Sequence, residues 1–172
     1  MQASLLFLFL LGFFHISVMS ATSSSTSTDQ VRSQSVVFLR HGVARHNFRG
    51  ADLTSPTLFD PSLTYEGKLG AVQAGEKIKA WWRKTSITAA TTTRAPLELI
   101  VCSPLTRTLQ TATLAFGFGE DYNAARSVPL VCVENVREAF GMHYPDKRRE
   151  RSVLAVRKDV SCATSVVHCL KA

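Results

Sequence analysis

VVFLRHG, at residues 36–42, is an apolar run with two valines that ends in an arginine, a histidine and a glycine. A short run of this kind predicts a buried strand that opens into a loop. In open α/β sheets, ligands bind at the carboxyl ends of the strands. The stretch therefore predicts an α/β fold with Arg40 and His41 at a candidate site. Arg-His-Gly alone is a weak signal, so the residues downstream decide what the site does.

The chain beyond this stretch alternates between strand-like and helix-like segments. Apolar residues recur at helical spacing after Thr64, and Ser103 followed by Pro104 predicts an N-cap and a first helical position. The predicted order is strand 36–39, helix 64–84, strand 96–102, helix 103–115 and strand 128–133. This alternation predicts a mostly parallel sheet with helices on its faces.

The first 30 residues differ in composition from the rest. Residues 5–14 form an almost unbroken apolar run that is too short to span a bilayer, and small residues follow it. The pattern is typical of a secretory signal peptide over residues 1–21; a retained anchor is the alternative, because residues 1–4 contain no lysine or arginine. A Ser/Thr-rich linker follows at residues 22–30. We expect an extracellular protein that has no stable membrane anchor after signal cleavage.

The four cysteines could form two disulfides in an oxidising compartment. Cys102 and Cys132, however, lie in apolar strand-like runs, where cysteine is usually a small buried hydrophobe. Cys162 and Cys169 could pair with each other near the carboxyl end. The pattern therefore does not predict a disulfide framework.

The chain has 20 basic and 13 acidic residues, which gives a formal net charge of +7. Such a charge suits nucleic acid, an anionic membrane or a small anionic substrate. The densest basic run, residues 147–151, lacks the interleaved aromatic residues of a nucleic-acid platform. We therefore expect a small anionic partner rather than nucleic acid. The run itself is either a solvated face or a rim that attracts phosphorylated substrates.

Four blocks of sequence stand in a fixed order and contain residues suited to catalysis. They are RHGVARHN at residues 40–47, DPSLTYEG at 60–67 with QA at 73–74, CSPLTR at 102–107 with QTA at 110–112, and VRE at 136–138. Together they resemble the histidine phosphatase superfamily, also called phosphoglycerate mutase-like. The resemblance runs over about residues 36–154, within a predicted domain at residues 31–154.

The resemblance implies a three-layer α/β/α fold and a phosphomonoester hydrolase. His41 is the expected nucleophile, which forms a phosphohistidine, and Glu138 is the expected general acid and base. Arg40, Arg107 and Asn47 are the expected phosphate-binding residues. The resemblance implies a phosphorylated small-molecule substrate, with no metal ion and no cofactor. His46 is expected to be a loop residue beside Asn47, with contact to the substrate as the alternative.

These residue types suit phosphoryl transfer on physical grounds. The transferred group is negatively charged, and planar guanidinium groups match its oxygens in pairs. A histidine nucleophile must be neutral, and neighbouring arginines favour the neutral form. A carboxyl group that gives and takes a proton near neutral pH needs a raised pKa from partial burial. The apolar residues before Glu138 predict such burial.

The carboxyl end departs from the family pattern. Family members have a second catalytic histidine on a further strand, and only His168 is a candidate here. The tail at residues 155–172 loses the resemblance and has little room for an intervening helix. Truncation, alternative splicing or a gene-model error would explain such a tail, and the predicted fold is then incomplete.

Two functional classes remain open. The first is a phosphohistidine phosphatase, with a phosphoglycerate mutase-like phosphotransferase as its less favoured variant. The second is a catalytically weak or inactive family member that binds phosphorylated ligands or has no function. A lost donor in such an anion site can lower the rate roughly a hundredfold.

Overall fold

The structure is a computed structural model that describes residues 4–7, 17–22, 33–85, 97–117, 128–139, 141–157 and 160. Three residues of the predicted tail, His168, Cys162 and Cys169, lie outside the described residues. Most of the predicted linker at residues 22–30 also lies outside them.

Five strands form one sheet with the order β2-β3-β1-β4-β5. Their bounds are Ser4–Phe7 for β1, Ser17–Thr22 for β2, Ser33–Phe38 for β3, Leu99–Cys102 for β4 and Leu130–Cys132 for β5. The β1–β3, β1–β4 and β4–β5 pairings are parallel, and the β2–β3 pairing is antiparallel. The predicted α/β class with a mostly parallel sheet is confirmed.

Strand β1 lies between the two strands that lead into the candidate site. In its register, Leu6 is opposite Val37 of β3 on one side and Ile100 of β4 on the other. The sequence assigned this segment to a signal peptide and predicted no strand there. Apolar residues also favour a central strand with both neighbours present. The signal peptide over residues 1–21 stays a prediction.

The described residues form three α-helices: α1 at Tyr65–Thr85, α2 at Thr106–Phe116 and α3 at Arg151–Ala155. Helix α1 packs on α2, and Gly75 is so close to the Ala115 carbonyl group that a β-carbon would overlap it. Helix α1 agrees with the predicted helix within one residue at each end. The predicted third layer, with helices on the other face of the sheet, stays a prediction.

Helix α2 begins at Thr106, three residues after the predicted start, and Ser103 is not its N-cap. The side chain of Leu105, which holds the N-cap position, accepts no hydrogen bond. Instead the carboxylate of Asp60 accepts bonds from the backbone N–H and the hydroxyl of Thr106, at 2.8 and 2.7 Å. The cap comes from a distant loop, so the local Ser-Pro signal predicted the wrong residue.

The main core lies between the sheet and the packed helices. It contains Val37, Leu39, Ala74, Ile78, Ile100, Cys102, Leu109, Ala112, Ala115, Leu130, Cys132, Leu154 and Val160. Cys102 and Cys132 are buried free thiols, as predicted, and burial raises the pKa of Cys102. Among the described helices, none combines the length and the apolar character needed to cross a membrane.

Candidate active site

The loop after β3 places His41 in the interior between the strand ends and the two long helices. Only 6% of the His41 surface is exposed. The backbone N–H of Gly42 donates to the Thr111 hydroxyl of α2 at 3.0 Å, and that hydroxyl donates to the Arg107 carbonyl group at 2.8 Å. Gly42 also lies against Gly67 of α1, where a β-carbon would overlap the backbone. Both helices therefore fix the position of the loop.

The hydrogen bonds of His41 determine which ring nitrogen has the proton. Nδ1 lies 2.6 Å from the Gly42 carbonyl oxygen, which can only accept, so Nδ1 is the donor. Nε2 then has the lone pair, and it accepts the Nε–H of Arg107 at 3.2 Å. Burial and the charge of Arg107 lower the pKa of His41 to about 3. The ring is therefore neutral near pH 7, with its lone pair directed at Arg107.

Arg107 is fully buried, and each nitrogen of its guanidinium group donates to the protein. Nε donates to His41, and one terminal nitrogen donates to the Pro145 carbonyl oxygen at 2.6 Å. The other terminal nitrogen donates to the carboxylates of Glu138 and Asp146, both at 3.2 Å. Arg107 thus joins the expected nucleophile to two acidic groups.

Glu138 and Asp146 form a pair of carboxyl groups on the same guanidinium nitrogen. The Glu138 side chain is 41% exposed, and the Asp146 side chain is 11% exposed. Partial burial raises the pKa of Glu138, as does the negative charge of Asp146, while Arg107 opposes both effects. The sequence predicted that apolar residues before Glu138 would raise its pKa through burial. Asp146 is a second cause that the sequence did not predict.

Arg40 and His46 complete the group of side chains around His41. The rings of His41 and His46 lie 5.7 Å apart between centroids. Burial and the charges of Arg107 and Arg40 lower the pKa of His46 to about 4. The Nε of Arg40 and the Nδ1 of His46 are buried and have no hydrogen-bond partner among the described residues. Within the described part of the chain, the site therefore has two polar nitrogens that lack a partner.

Asn47 is exposed, and both ends of its amide group have protein partners. Its Oδ1 accepts the backbone N–H of Ala44 at 2.9 Å, and its Nδ2 lies 3.2 Å from Nε2 of His46. The expected contact between Asn47 and a phosphate stays a prediction. In the structure, the amide group holds the turn Arg45–Asn47 and the ring of His46.

A second buried carboxylate fixes the segment that contains Asp146. Asp60 is fully buried with a φ of 43°. Besides capping α2, its carboxylate accepts the backbone N–H of Arg149 at 3.2 Å, and the Arg149 guanidinium group donates to the Phe59 carbonyl oxygen at 3.1 Å. Asp60 therefore joins the start of α2, which contains Arg107, to the segment that follows Asp146.

The basic run at residues 147–151 is only partly a solvated face. Arg148 pairs with Glu134 at 2.6 Å, and the Lys147 ammonium group lies 3.6 Å from the centre of the Tyr144 ring. Arg137 also pairs with Glu134, at 3.1 Å. An open cleft of about 460 Å³ is lined by Glu134, Arg137, Lys147 and Arg148. The half-buried basic residues thus mainly contact other parts of the chain.

Of the six expected site residues, the structure brings four together, which are Arg40, His41, Arg107 and Glu138. The fifth, Asn47, is exposed and contacts His46 beside them. His168, the sixth, lies outside the described residues. The sequence did not identify Asp146 or Asp60, and it assigned His46 to the loop. The short spacing between His41 and His46 in the sequence could have indicated that the two rings lie close together. The role of Asp146 had no signal, because it depends on contacts with Arg107 and Glu138 from other segments.

The geometry defines a class of site: a neutral buried histidine, two arginines and a carboxyl pair in an α/β protein. Among curated proteins, the chain is similar to a phosphoglycerate mutase-like protein of Arabidopsis thaliana. The two are 30% identical over 143 residues, which cover 69% of this chain and 49% of the plant protein. The chain thus spans about half the length of that relative. No family model and no solved structure matches the chain.

No cluster of three or more histidine, cysteine or acidic side chains that could hold a metal ion occurs within the described ranges.

Proposed function

We propose that this chain belongs to the histidine phosphatase superfamily and hydrolyses phosphomonoesters through a phosphohistidine on His41. The observation that carries the proposal is the arrangement of His41, Arg107 and Glu138. His41 is neutral and has a lone pair on Nε2, Arg107 is a cation, and Glu138 has a raised pKa. Arg107 donates hydrogen bonds to both of the other side chains. The similarity to the plant phosphoglycerate mutase-like protein supports the same family.

The first half of the reaction transfers the phosphoryl group to the enzyme. The Nε2 lone pair of His41 attacks phosphorus, and the bond from phosphorus to the ester oxygen breaks. Glu138 in its protonated form, which the raised pKa favours, gives its proton to the departing oxygen. Arg40 and Arg107 neutralise the charge on the phosphoryl oxygens.

The second half regenerates the histidine. The Glu138 carboxylate takes a proton from water, whose oxygen attacks phosphorus. The bond from phosphorus to Nε2 breaks, and its electron pair returns to His41. The products are inorganic phosphate, a neutral His41 and a protonated Glu138. In the phosphotransferase variant, an acceptor hydroxyl group replaces water.

Arg107 has a further consequence for the first step. Its Nε–H occupies the lone pair of His41 in the ligand-free structure. A substrate phosphate must therefore draw Arg107 away from Nε2 before attack. Phosphate oxygens are strong acceptors for guanidinium groups, so substrate binding itself would release the nucleophile.

A second candidate function is favoured by the same observation. Because all three nitrogens of Arg107 already have protein partners, a phosphate must replace strong bonds in order to bind. If it does not, the chain is a catalytically weak or inactive family member.

The proposed localisation, domain organisation and partner of the protein are inferred from the sequence. We propose export by the signal peptide at residues 1–21, the linker at 22–30, the phosphatase-like domain at 31–154 and the divergent tail at 155–172. The proposed partner is a phosphorylated small molecule. Nucleic acid and a permanent membrane anchor have no part in the proposal.

The test is hydrolysis of p-nitrophenyl phosphate by the full chain from pH 4 to pH 8, beside His41→Ala. We expect turnover in the parent and a loss of at least about a thousandfold in His41→Ala. The control is His143→Gln, which changes an exposed histidine. The parent should also form an acid-labile, base-stable phosphoenzyme that His41→Ala lacks. Folded parent protein without turnover would contradict the phosphatase and support the inactive candidate.

A further inference from the structure

We infer that His46 is a second histidine of the phosphoryl site, which donates the hydrogen on its Nδ1 to a phosphoryl oxygen held by His41. This inference rests on the proposed function and adds a residue to its site. The sequence predicted a loop residue at His46, with contact to the substrate as the alternative, and it assigned no hydrogen-bond role to the ring.

The tautomer of His46 follows from a chain of hydrogen bonds that starts at a backbone group. The N–H of Ala44 can only donate, so the Asn47 atom 2.9 Å away is the carbonyl oxygen of the amide group. The other amide atom of Asn47 is then the NH₂ nitrogen, which donates to Nε2 of His46 at 3.2 Å. Nε2 therefore has the lone pair, and Nδ1 has the hydrogen.

This reasoning requires a ring with only one hydrogen on nitrogen. Burial and the charges of Arg107 and Arg40 lower the pKa of His46 to about 4, so the ring is neutral near pH 7. His41 and His46 are then neutral histidines of the same tautomer, with the hydrogen on Nδ1 and the lone pair on Nε2. His41 has a lone pair on Nε2, and His46 has a hydrogen on Nδ1. The first suits a nucleophile, and the second suits a donor to an anion.

The Nδ1–H of His46 has no acceptor among the described residues, although the nitrogen is buried. A buried donor without an acceptor is costly, typically about 1–3 kcal/mol. The Nε–H of Arg40 is also buried and also lacks an acceptor among the described residues. The charge of Arg40 acts on both His41 and His46. A phosphoryl group at His41 brings three oxygens that can accept hydrogen bonds. One bound anion would therefore satisfy both donors.

Asn47 is a positioning residue in this arrangement, because its amide group selects the His46 tautomer. Asn47→Asp tests that role. Aspartate still accepts from Ala44, but its second oxygen cannot donate to Nε2 of His46. The hydrogen is then expected on Nε2, which leaves a lone pair on Nδ1 facing the anion site.

The experiment is a long-range ¹H–¹⁵N correlation of the histidine rings in the full chain at pH 7, with inorganic phosphate as the titrant. His46→Gln assigns the His46 signals, and His143→Gln is the matched control. We expect the Nδ1–H tautomer for His46, a shift of its Nδ1 signal with phosphate, and the Nε2–H tautomer in Asn47→Asp. His46→Gln should weaken phosphate binding about tenfold or more, and His143→Gln should leave it unchanged.

The outcomes separate this inference from the proposed function when p-nitrophenyl phosphate turnover is measured on the same samples. Phosphate binding that depends on His46 without turnover would support the inference and contradict the phosphatase. Turnover and phosphate affinity that are unchanged in His46→Gln would overturn the inference and leave the phosphatase standing. A parent His46 in the Nε2–H tautomer would also overturn it. The parent spectrum gives this answer even if His46→Gln does not fold.

Discussion

Arg107 is the residue on which the site depends, because it contacts both the expected nucleophile and the expected acid. The sequence indicated that Arg107 binds phosphate, since a guanidinium group suits phosphate oxygens. Its surroundings could not be predicted, because they come from three distant segments. Pro145 and Asp146 hold two of its nitrogens, and no local pattern places them there. The family resemblance thus indicated which residues to expect at the site, but their mutual contacts could not be predicted.

The pair Glu138 and Asp146 leads to a prediction for the pH dependence of turnover. Glu138 must be protonated to protonate the departing oxygen, so activity should fall as pH rises through its pKa. The negative charge of Asp146 helps to raise that pKa. In Asp146→Asn the charge is lost, and the amide can donate to the Glu138 carboxylate, which favours ionisation. The alkaline limb of kcat should therefore move to lower pH, by roughly half to one pH unit.

The pH profile of p-nitrophenyl phosphate hydrolysis measures this shift. Asp52→Asn is the control, since Asp52 lies in an exposed turn where it bonds Thr54. On the acid side, His41 ionises only near pH 3, so neither variant should move activity through loss of the neutral nucleophile above pH 5. An alkaline limb that stays in place in Asp146→Asn would show that Asp146 does not influence the acid group.

At the scale of elements, the amino-terminal turn of α1 is in contact with the loop that contains His41. The Val43 carbonyl oxygen accepts the backbone N–H of Thr64 at 2.9 Å and its hydroxyl at 3.3 Å. A β-carbon on Gly67 would overlap that same carbonyl group. Periodicity predicted α1 itself, because its apolar residues repeat locally. The close approach to the loop was not predictable, since it depends on how two segments pack.

Gly67→Ala has two opposite effects on the free energy of unfolding. Alanine is the better helix former, by up to about 1 kcal/mol, which alone would raise the free energy of unfolding. Overlap with the Val43 backbone should cost about 1–3 kcal/mol, because a carbonyl group of a fixed loop cannot move aside freely. We expect net destabilisation and reduced turnover, since the His41 loop must shift. Urea denaturation and p-nitrophenyl phosphate hydrolysis measure the two effects.

Gly141→Ala is the matched control, because no atom lies within 4 Å of the β-carbon that it would add. Its free energy of unfolding should change little. Equal or greater stability of Gly67→Ala relative to the parent would mean that the loop and the helix are not held at this distance.

For the whole molecule, the alternation of elements was enough to predict an α/β fold, but it did not predict a strand at Ser4–Phe7. The sequence treated the apolar run near the amino terminus as a signal peptide, because composition alone does not distinguish a short h-region from a buried strand. The sheet order instead places Ser4–Phe7 between β3 and β4. Pairing between distant segments decides such a case, and it has no local signature.

Removal of residues 1–21 tests which assignment describes the folded protein, because it takes away β1 and all of β2 except Thr22. Without β1, the facing edges of β3 and β4 would be about 10 Å apart, each with unpaired backbone groups. We expect a chain of residues 22–172 to melt at least about 10 °C below the full chain, equivalent to about 3 kcal/mol or more, and to self-associate. Leu6→Pro should act in the same direction, because proline removes a ladder hydrogen bond, whereas Leu6→Val should not.

The comparison of the full chain with residues 22–172 also tests export. A mature protein whose signal peptide has been cleaved cannot contain β1. Thermal melting and light scattering of the two chains measure stability and association. If residues 22–172 are as stable and monomeric as the full chain, β3 and β4 must find another arrangement, and the cleaved form is the folded one. If they are not, the amino-terminal segment is part of the domain, and retention of residues 1–21 becomes a condition for the His41 site to form.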